Sequence, residues 1–150
     1  MKKSIFLLAI VLQISCSKDN QNAAIVNAHI DLSIRSAESA DVTNIGNYRF
    51  DKMTVQYLVN GVKINPQSQG NQPLNISENS TAVKRFRFFL NHDEKEEHPI
   101  TYVIWNNVDT DTIKAHFERK EGYLAYDKIW INGVLQTKWI KPEHYLLLQK

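Results

Sequence analysis

The chain has 150 residues, of which 43% are hydrophobic and 23% are charged, with 18 lysines and arginines against 16 acidic residues. This length is that of a single domain able to bury a sizeable core. The near balance of charge argues against nucleic acid as a partner, because proteins bind nucleic acid chiefly through concentrated positive charge.

The first residues have the pattern of an export signal. Lys2 and Lys3 provide a positive start, residues 5–12 (IFLLAIVL) are continuously apolar, and small or polar residues follow up to Cys16. The apolar stretch is too short for a membrane-spanning helix, which needs about 20 apolar residues. We therefore predict that residues 1–15 are a cleaved signal peptide.

Cys16 is the only cysteine of the chain. Together with Leu12, Ile14 and Ser15 it resembles a bacterial lipobox, in which the cysteine is acylated and becomes the first residue of the mature protein. The alternative is an ordinary thiol, but a free thiol is a liability in an oxidising envelope and no second cysteine exists for a disulfide. The resemblance implies that acyl chains on Cys16 attach the protein to a membrane.

The residues after Cys16 bear on the location of the protein. Ser17, Lys18 and Asp19 resemble the tag by which many lipoproteins of Bacteroidota reach the outer face of the outer membrane. This favours display on the cell surface over a periplasmic location. We expect residues 16–24 to form a polar, flexible stalk and residues 25–150 to form the folded domain.

Along the rest of the chain the dominant period is two, which is typical of half-buried strands. Residues 29–35 (HIDLSIR) and 53–59 (MTVQYLV) both alternate between apolar and polar side chains. The second run ends at Asn60-Gly61, a dipeptide that favours a type I′ hairpin turn, and residues 62–65 would form the returning strand.

Further strands are predicted in the second half of the chain. Residues 84–90 (KRFRFFL) alternate, whereas residues 100–105 (ITYVIW) are apolar on both faces, as expected of a strand covered on two sides or central in a sheet. Residues 113–118 alternate again, and Asn132-Gly133 repeats the hairpin signal.

About seven short strands separated by turns predict an all-β fold. The expected form is an antiparallel β-sandwich of the immunoglobulin-like or transthyretin-like kind, with a small closed barrel as the alternative. The only helical expectation is a short turn within residues 142–148. Without a cysteine pair, the core is expected to depend on aromatic side chains, namely Phe86, Phe88, Trp105, Phe117 and Trp130.

Two acidic segments are candidate ligand sites. Asp109 and Asp111 in VDTDT would share a strand face and bind a cation or a sugar hydroxyl, or they would only stabilise a polar turn. The turn HDEKEEH holds donors that suit Ca²⁺ or Zn²⁺ if the backbone brings several together, and the alternative is a solvated hairpin turn. The donors of this turn are His92, Asp93, Glu94, Glu96, Glu97 and His98.

Four aromatic residues near the end of the chain are the best candidates for a ligand-binding surface. They are Tyr123, Tyr126, Trp130 and Trp139. Exposed aromatic rings stack on sugar rings, and core packing is the alternative role. On a regular strand, Tyr126 and Trp130 would share one face while Tyr123 would lie on the other.

Motifs for catalysis are absent from the sequence. It contains no Gly-x-Ser-x-Gly elbow, no His-Glu-x-x-His pair, no phosphate-binding glycine loop and no Cys-x-x-Cys. We therefore expect a protein that is not an enzyme and that uses no cofactor. His29 and His116 lie on polar strand faces and are predicted to be surface residues.

The lipobox, together with residues 48–61 (YRFDKMTVQYLVNG) and 109–135 (DTDTIKAHFERKEGYLAYDKIWINGVL), resembles the small outer-membrane lipoproteins of Bacteroidota with an immunoglobulin-like domain. The resemblance implies an envelope location and a sandwich fold, and it carries no catalytic residues. We predict a lipid-anchored cell-envelope lipoprotein that acts as a non-catalytic binding module for a glycan or a protein. The alternatives are a structural or accessory subunit of an envelope complex and, third, a hydrolase that uses His92 or His116.

Overall fold

The structure, a computed structural model, describes residues 25–66, 72–76, 83–107, 109–141 and 144–150. The predicted signal peptide, Cys16 and the whole of the predicted stalk lie outside these described residues, as do Pro142 and Glu143. Among the residues that are described, no helix has the length and hydrophobicity needed to cross a membrane.

Eleven β-strands and two short 3₁₀ turns, Gly46–Tyr48 and Phe50–Lys52, make up the regular structure of the described residues. The strands are β1 (Ile25–Asn27), β2 (His29–Arg35), β3 (Met53–Val59), β4 (Val62–Ile64), β5 (Leu74–Ile76), β6 (Arg85–Phe89), β7 (Ile100–Trp105), β8 (Asp109–Lys120), β9 (Tyr123–Ile131), β10 (Val134–Leu135) and β11 (Leu146–Gln149).

The strands form two sheets. Sheet A has the order β1-β9-β8-β7-β3-β4, with β10 also paired to β9, and sheet B has the order β11-β2-β6-β5. Both sheets are mixed, because β1 runs parallel to β9 and β11 runs parallel to β2. The predicted all-β fold is confirmed, whereas the expectations of purely antiparallel sheets and about seven strands are wrong. The additional strands are two to four residues long, too short to show a period in the sequence.

Both predicted Asn-Gly hairpins are confirmed. Asn60 and Gly61 have φ angles of 50° and 77°, and Asn132 and Gly133 have φ angles of 50° and 81°. A type I′ turn requires positive φ at both central residues. The first of these turns links β3 to β4, and the second links β9 to β10.

The core lies between the inner faces of the two sheets. Phe86 and Phe88 from β6 and Trp105 from β7 are completely buried, with ring centroids 5.9 to 6.2 Å apart. Phe117 from β8 is also buried in this core. Four of the five predicted core aromatics are therefore confirmed.

Trp130 is the exception, because it faces away from the core. A β-bulge in the β8–β9 ladder pairs Phe117 with Tyr126 but His116 with Lys128, so that Asp127 is an extra residue. The bulge breaks the alternation of β9. Tyr126 therefore packs against the core while Trp130 lies on the outer face of sheet A. The expectation that these two share a face is wrong.

The prediction of a helical turn within residues 142–148 is also wrong for the part of this segment that the structure describes, residues 144–148. Leu146–Gln149 is strand β11, which pairs along the free edge of β2. The hydrogen-bond partner of this segment lies more than 100 residues away in sequence, so local sequence patterns cannot reveal it.

Candidate functional site

A polar pocket of about 290 Å³ lies where the chain passes from sheet A to sheet B. The single residue Ala28 separates β1 from β2, so the two sheets approach each other closely at this point. The pocket is lined by Asn27, His29, Asp31, Arg87, Tyr126 and His144.

The floor of the pocket is an ion pair between neighbouring strands. Alternation along β2 places His29 and Asp31 on the outer face of sheet B, and Asp31 lies directly opposite Arg87 of β6. Arg87 donates from Nε and Nη2 to the two carboxylate oxygens of Asp31 at 2.8 and 3.0 Å. Only 5% of Asp31 is exposed. This bidentate geometry fixes both side chains and compensates for the burial of the carboxylate.

The opposite wall of the pocket is aromatic. The ring of Tyr126 lies 5.9 Å from that of Trp139 at an interplanar angle of 20°, and Trp139 stacks on His144 at 4.5 Å and 8°. Two backbone hydrogen bonds between Ile140 and Tyr145 close the loop that presents Trp139 and His144. The loop thereby holds the aromatic rings beside the crossover of β1 and β2.

Two of the rings that line the pocket, those of Tyr126 and His29, are uncharged at neutral pH. Burial, with a smaller contribution from the charge of Asp31, raises the pKa of Tyr126 to about 12, so its hydroxyl stays protonated. Burial and the positive charge of Arg87 lower the pKa of His29, against an opposing effect of Asp31. A lowered pKa keeps the His29 imidazole neutral at pH 7. Neutral groups that both donate and accept hydrogen bonds suit an uncharged polar ligand.

The four aromatic candidates from the sequence do not form one surface. Tyr126 lines the pocket, and Trp139 stacks on Tyr126 and on the lining residue His144. Tyr123 is 36% exposed at the start of β9, paired with Ile25 of β1. Trp130 lies on the outer face of sheet A. Of the four, only Tyr126 therefore lines the pocket, with Trp139 stacked on it.

The charged turn of residues 92–98 does not bring its donors together. His92 makes a hydrogen bond through Nδ1 with the carbonyl of Leu90, while the ring of His98 contacts His116 and Trp130. Across all described residues, no three His, Cys, Asp or Glu side chains form a group that could hold a metal ion. The structure thus adds no support to a metal site in this turn.

Asp109 and Asp111 form an internal ion network rather than a polar turn. Asp111 is completely buried on the inner face of β8 and accepts hydrogen bonds from Trp105 Nε1 at 2.6 Å and Asn132 Nδ2 at 2.7 Å. Lys150 Nζ lies 2.7 Å from Asp111 and 3.0 Å from Asp109. Burial lowers the pKa of Lys150, but hydrogen bonds to both carboxylates outweigh it and the net pKa is raised. The carboxylates are thus satisfied within the protein.

Four lining residues of the pocket were not singled out in the sequence, namely Asn27, Asp31, Arg87 and His144. The expectation that His29 is simply a surface residue is wrong, because it is half-buried and lines the pocket. His116 is half-exposed and donates from Nδ1 to Asp127 at 2.5 Å. Asp31 and Arg87 each lie within a regular strand, β2 and β6. An acid and a base at such positions are the local sequence signal that could have predicted their cross-strand ion pair.

No match to this chain is found among protein-family models, curated proteins or solved structures. Its function therefore has to be inferred from its own residues.

Proposed function

We propose that this protein is a lipoprotein of the cell envelope whose polar pocket binds an uncharged sugar unit of a glycan. The observation that carries this proposal is the combination of hydrogen-bonding groups and an aromatic wall in one pocket. The volume of about 290 Å³ is near the lower end of the range for small-ligand sites, so it fits a single sugar unit better than a long chain.

The lining groups match the chemistry of a sugar. Each sugar hydroxyl donates one hydrogen bond and accepts others, and the Asn27 amide, the His29 imidazole and the Tyr126 hydroxyl can each do both. The C–H face of a sugar is apolar and packs on aromatic rings such as the exposed ring of His144.

The same groups favour binding over catalysis. Arg87 holds both oxygens of Asp31 in a bidentate pair, so this carboxylate is already engaged within the protein. The raised pKa of Tyr126 keeps the phenol from acting as a base at neutral pH. Non-catalytic binding is therefore the function that we propose.

The N-terminal sequence supports the proposed envelope location. Acylation of Cys16 would tether the domain to the outer membrane through residues 17–24, with display on the outer surface favoured by Ser17, Lys18 and Asp19. We assign the sandwich to the immunoglobulin-like or transthyretin-like kind, a proposal supported by two sheets that enclose one core.

The alternative of an accessory subunit that accepts a partner strand has less support. Addition of a strand requires a long free edge. The strands at the sheet edges, as far as the structure describes them, are two to four residues long. We therefore place the binding module first.

The binding proposal is tested by calorimetry of the purified acylated protein in detergent micelles against a panel of neutral oligosaccharides. Tyr126→Phe removes only the hydroxyl and should weaken binding about fivefold, the value of one hydrogen bond. His144→Ala should weaken it further, and Tyr123→Phe is the matched control outside the pocket. Absence of binding to the whole panel, or equal binding by all variants, would refute the proposal.

The location is tested separately by protease digestion of intact and lysed cells. We expect digestion on intact cells, and we expect Cys16→Ala to abolish both metabolic labelling with palmitate and recovery in the membrane fraction. Protection until lysis would place the protein in the periplasm, and unchanged labelling of Cys16→Ala would exclude the tether.

A further inference from the structure

The outer faces of the two sheets differ in how far they are covered. On sheet B, the outward side chains of Asp31, Ser33 and Arg85 are buried. On sheet A, the outward apolar side chains remain partly exposed. They include Leu58, Ile100, Tyr102, Ile104 and Trp130. The predicted strand that is apolar on both faces, β7, thus lies at the centre of sheet A with one apolar face accessible to solvent. Clustered apolar residues of this kind are typical of interaction surfaces.

Part of this face is a straight row that crosses six strands. Leu58 pairs with Lys63, and the pairing of Tyr57 with Thr101 places Leu58 next to Ile100. Ile100 pairs with Lys114, Lys114 with Trp130, and Trp130 with Leu135. We call this set of Lys63, Leu58, Ile100, Lys114, Trp130 and Leu135 the cross-strand row. Five strand spacings give it a length of roughly 24 Å.

The two lysines of the cross-strand row place positive charge next to aromatic rings. Lys114 Nζ lies 4.6 Å from the ring centroid of Trp130, and Lys63 Nζ lies 4.1 Å from that of Tyr102 in the adjacent row. Lysine ammonium groups at this distance make cation–π contacts. Three acids near this surface already have partners, since Asp127 accepts from His116, Glu118 lies 2.6 Å from Lys120, and Glu97 lies 3.9 Å from His98. A partner of negative charge therefore complements this surface.

We propose that the cross-strand row binds an acidic polysaccharide. An extended sugar chain fits a flat strip that is long and one residue wide, because its C–H faces can pack on Trp130 and Ile100 while its carboxylates meet Lys63 and Lys114. A second copy of this chain fits less well, because it would bring the lysines of two rows together. This surface shares no residue with the polar pocket, so the two proposals stand independently.

The test uses the purified acylated protein in detergent micelles, with polygalacturonate as the acidic probe and dextran as the neutral one, followed by affinity electrophoresis. We expect retardation by polygalacturonate only, weakened by added salt. Trp130→Ala should weaken binding about tenfold and Lys114→Gln about threefold. Lys52→Gln, an exposed lysine away from the row, is the charge-matched control, and circular dichroism checks that each variant is folded.

Four results would overturn this proposal. The first is equal retardation of the protein by dextran and by polygalacturonate, and the second is an equal loss of binding in Lys52→Gln and Lys114→Gln. The third is a dimer in sedimentation that Trp130→Ala dissociates. The fourth is tighter binding to phosphatidylglycerol vesicles or to an acidic protein than to polygalacturonate. Lys63 is exposed, so we expect Lys63→Gln to fold even if Trp130→Ala does not. Unchanged affinity of Lys63→Gln for polygalacturonate would therefore also count against the proposal. Tyr126→Phe should bind polygalacturonate normally, which separates this surface from the pocket.

Discussion

At the scale of single residues, the complete burial of Asp111 is energetically costly. A carboxylate in the core is tolerated only when charges and hydrogen bonds satisfy it, and Trp105, Asn132 and Lys150 do so here. These three partners come from β7, the β9–β10 turn and the residue after β11. One carboxylate thus joins three separate parts of the structure.

Removing the cation should leave Asp111 buried with no counter-charge. We expect Lys150→Met to lower the free energy of unfolding by about 3 kcal/mol, the usual cost of breaking a buried pair from one side. Chemical denaturation measures this, with the exposed Lys138→Met as the matched control. A Lys150→Met protein as stable as the control would show that the ion pair contributes little.

The raised pKa of Tyr126 predicts how stability depends on alkaline pH. The folded protein keeps the phenol proton up to about pH 12, whereas the unfolded chain loses it near pH 10. The contribution of this phenol to the free energy of unfolding is therefore complete below pH 10 and is lost as the pH rises towards 12. Ultraviolet titration of tyrosinate should show a component near pH 12 that Tyr126→Phe lacks. Titration of that component near pH 10 would mean that Tyr126 is solvated.

At the scale of elements, the two Asn-Gly hairpins share a geometry but differ in their tertiary contacts. Asn60 and Asn132 both have a φ of 50°. The side chain of Asn132 donates to Asp111 and accepts from the backbone of Thr112, whereas no hydrogen bond of the Asn60 side chain is found within the described residues. The two turns therefore form a natural pair for comparison.

Substitution by glycine preserves the positive φ and removes only the side chain. We expect Asn132→Gly to cost about 2 kcal/mol, since a hydrogen bond to a buried charge is lost, and Asn60→Gly to change stability by less than about 0.5 kcal/mol. Thermal unfolding of the two variants provides the comparison. Equal losses would indicate that the turn geometry, not the contact with Asp111, determines the stability.

Some elements can be predicted from the sequence and others cannot, for physical reasons. The strands β2, β3 and β6 show period two because each buries one face in the core, and the hairpins follow from the φ preference of Asn-Gly. The bulge at Asp127 has no such local signal, because it depends on how β9 meets β8. The bulge places Tyr126 and Trp130 on opposite faces of sheet A. A regular alternation would have put them on the same face, so the sequence pattern wrongly assigned Trp130 to the core.

At the scale of the whole molecule, the candidate site is a product of chain topology. The crossover from β1 to β2 supplies Asn27, His29 and Asp31, while Tyr126 and His144 come from about 100 residues later in the chain. The sequence indicated Tyr126 and Trp139 as aromatic candidates. It could not place Tyr126 beside Asp31 or stack Trp139 on Tyr126, because these arrangements depend on the pairing of β9 with β1 and on the return of the chain after β10.

The most direct test of the central claim is nuclear magnetic resonance of the isotope-labelled protein, titrated with the neutral oligosaccharide that binds best in calorimetry. We predict saturable shifts of the backbone amides of Asn27, His29, Arg87 and His144, with the amides of Tyr102 and Trp130 unchanged. Shifts centred elsewhere, or none in the pocket at saturation, would contradict the assignment of this pocket as the binding site.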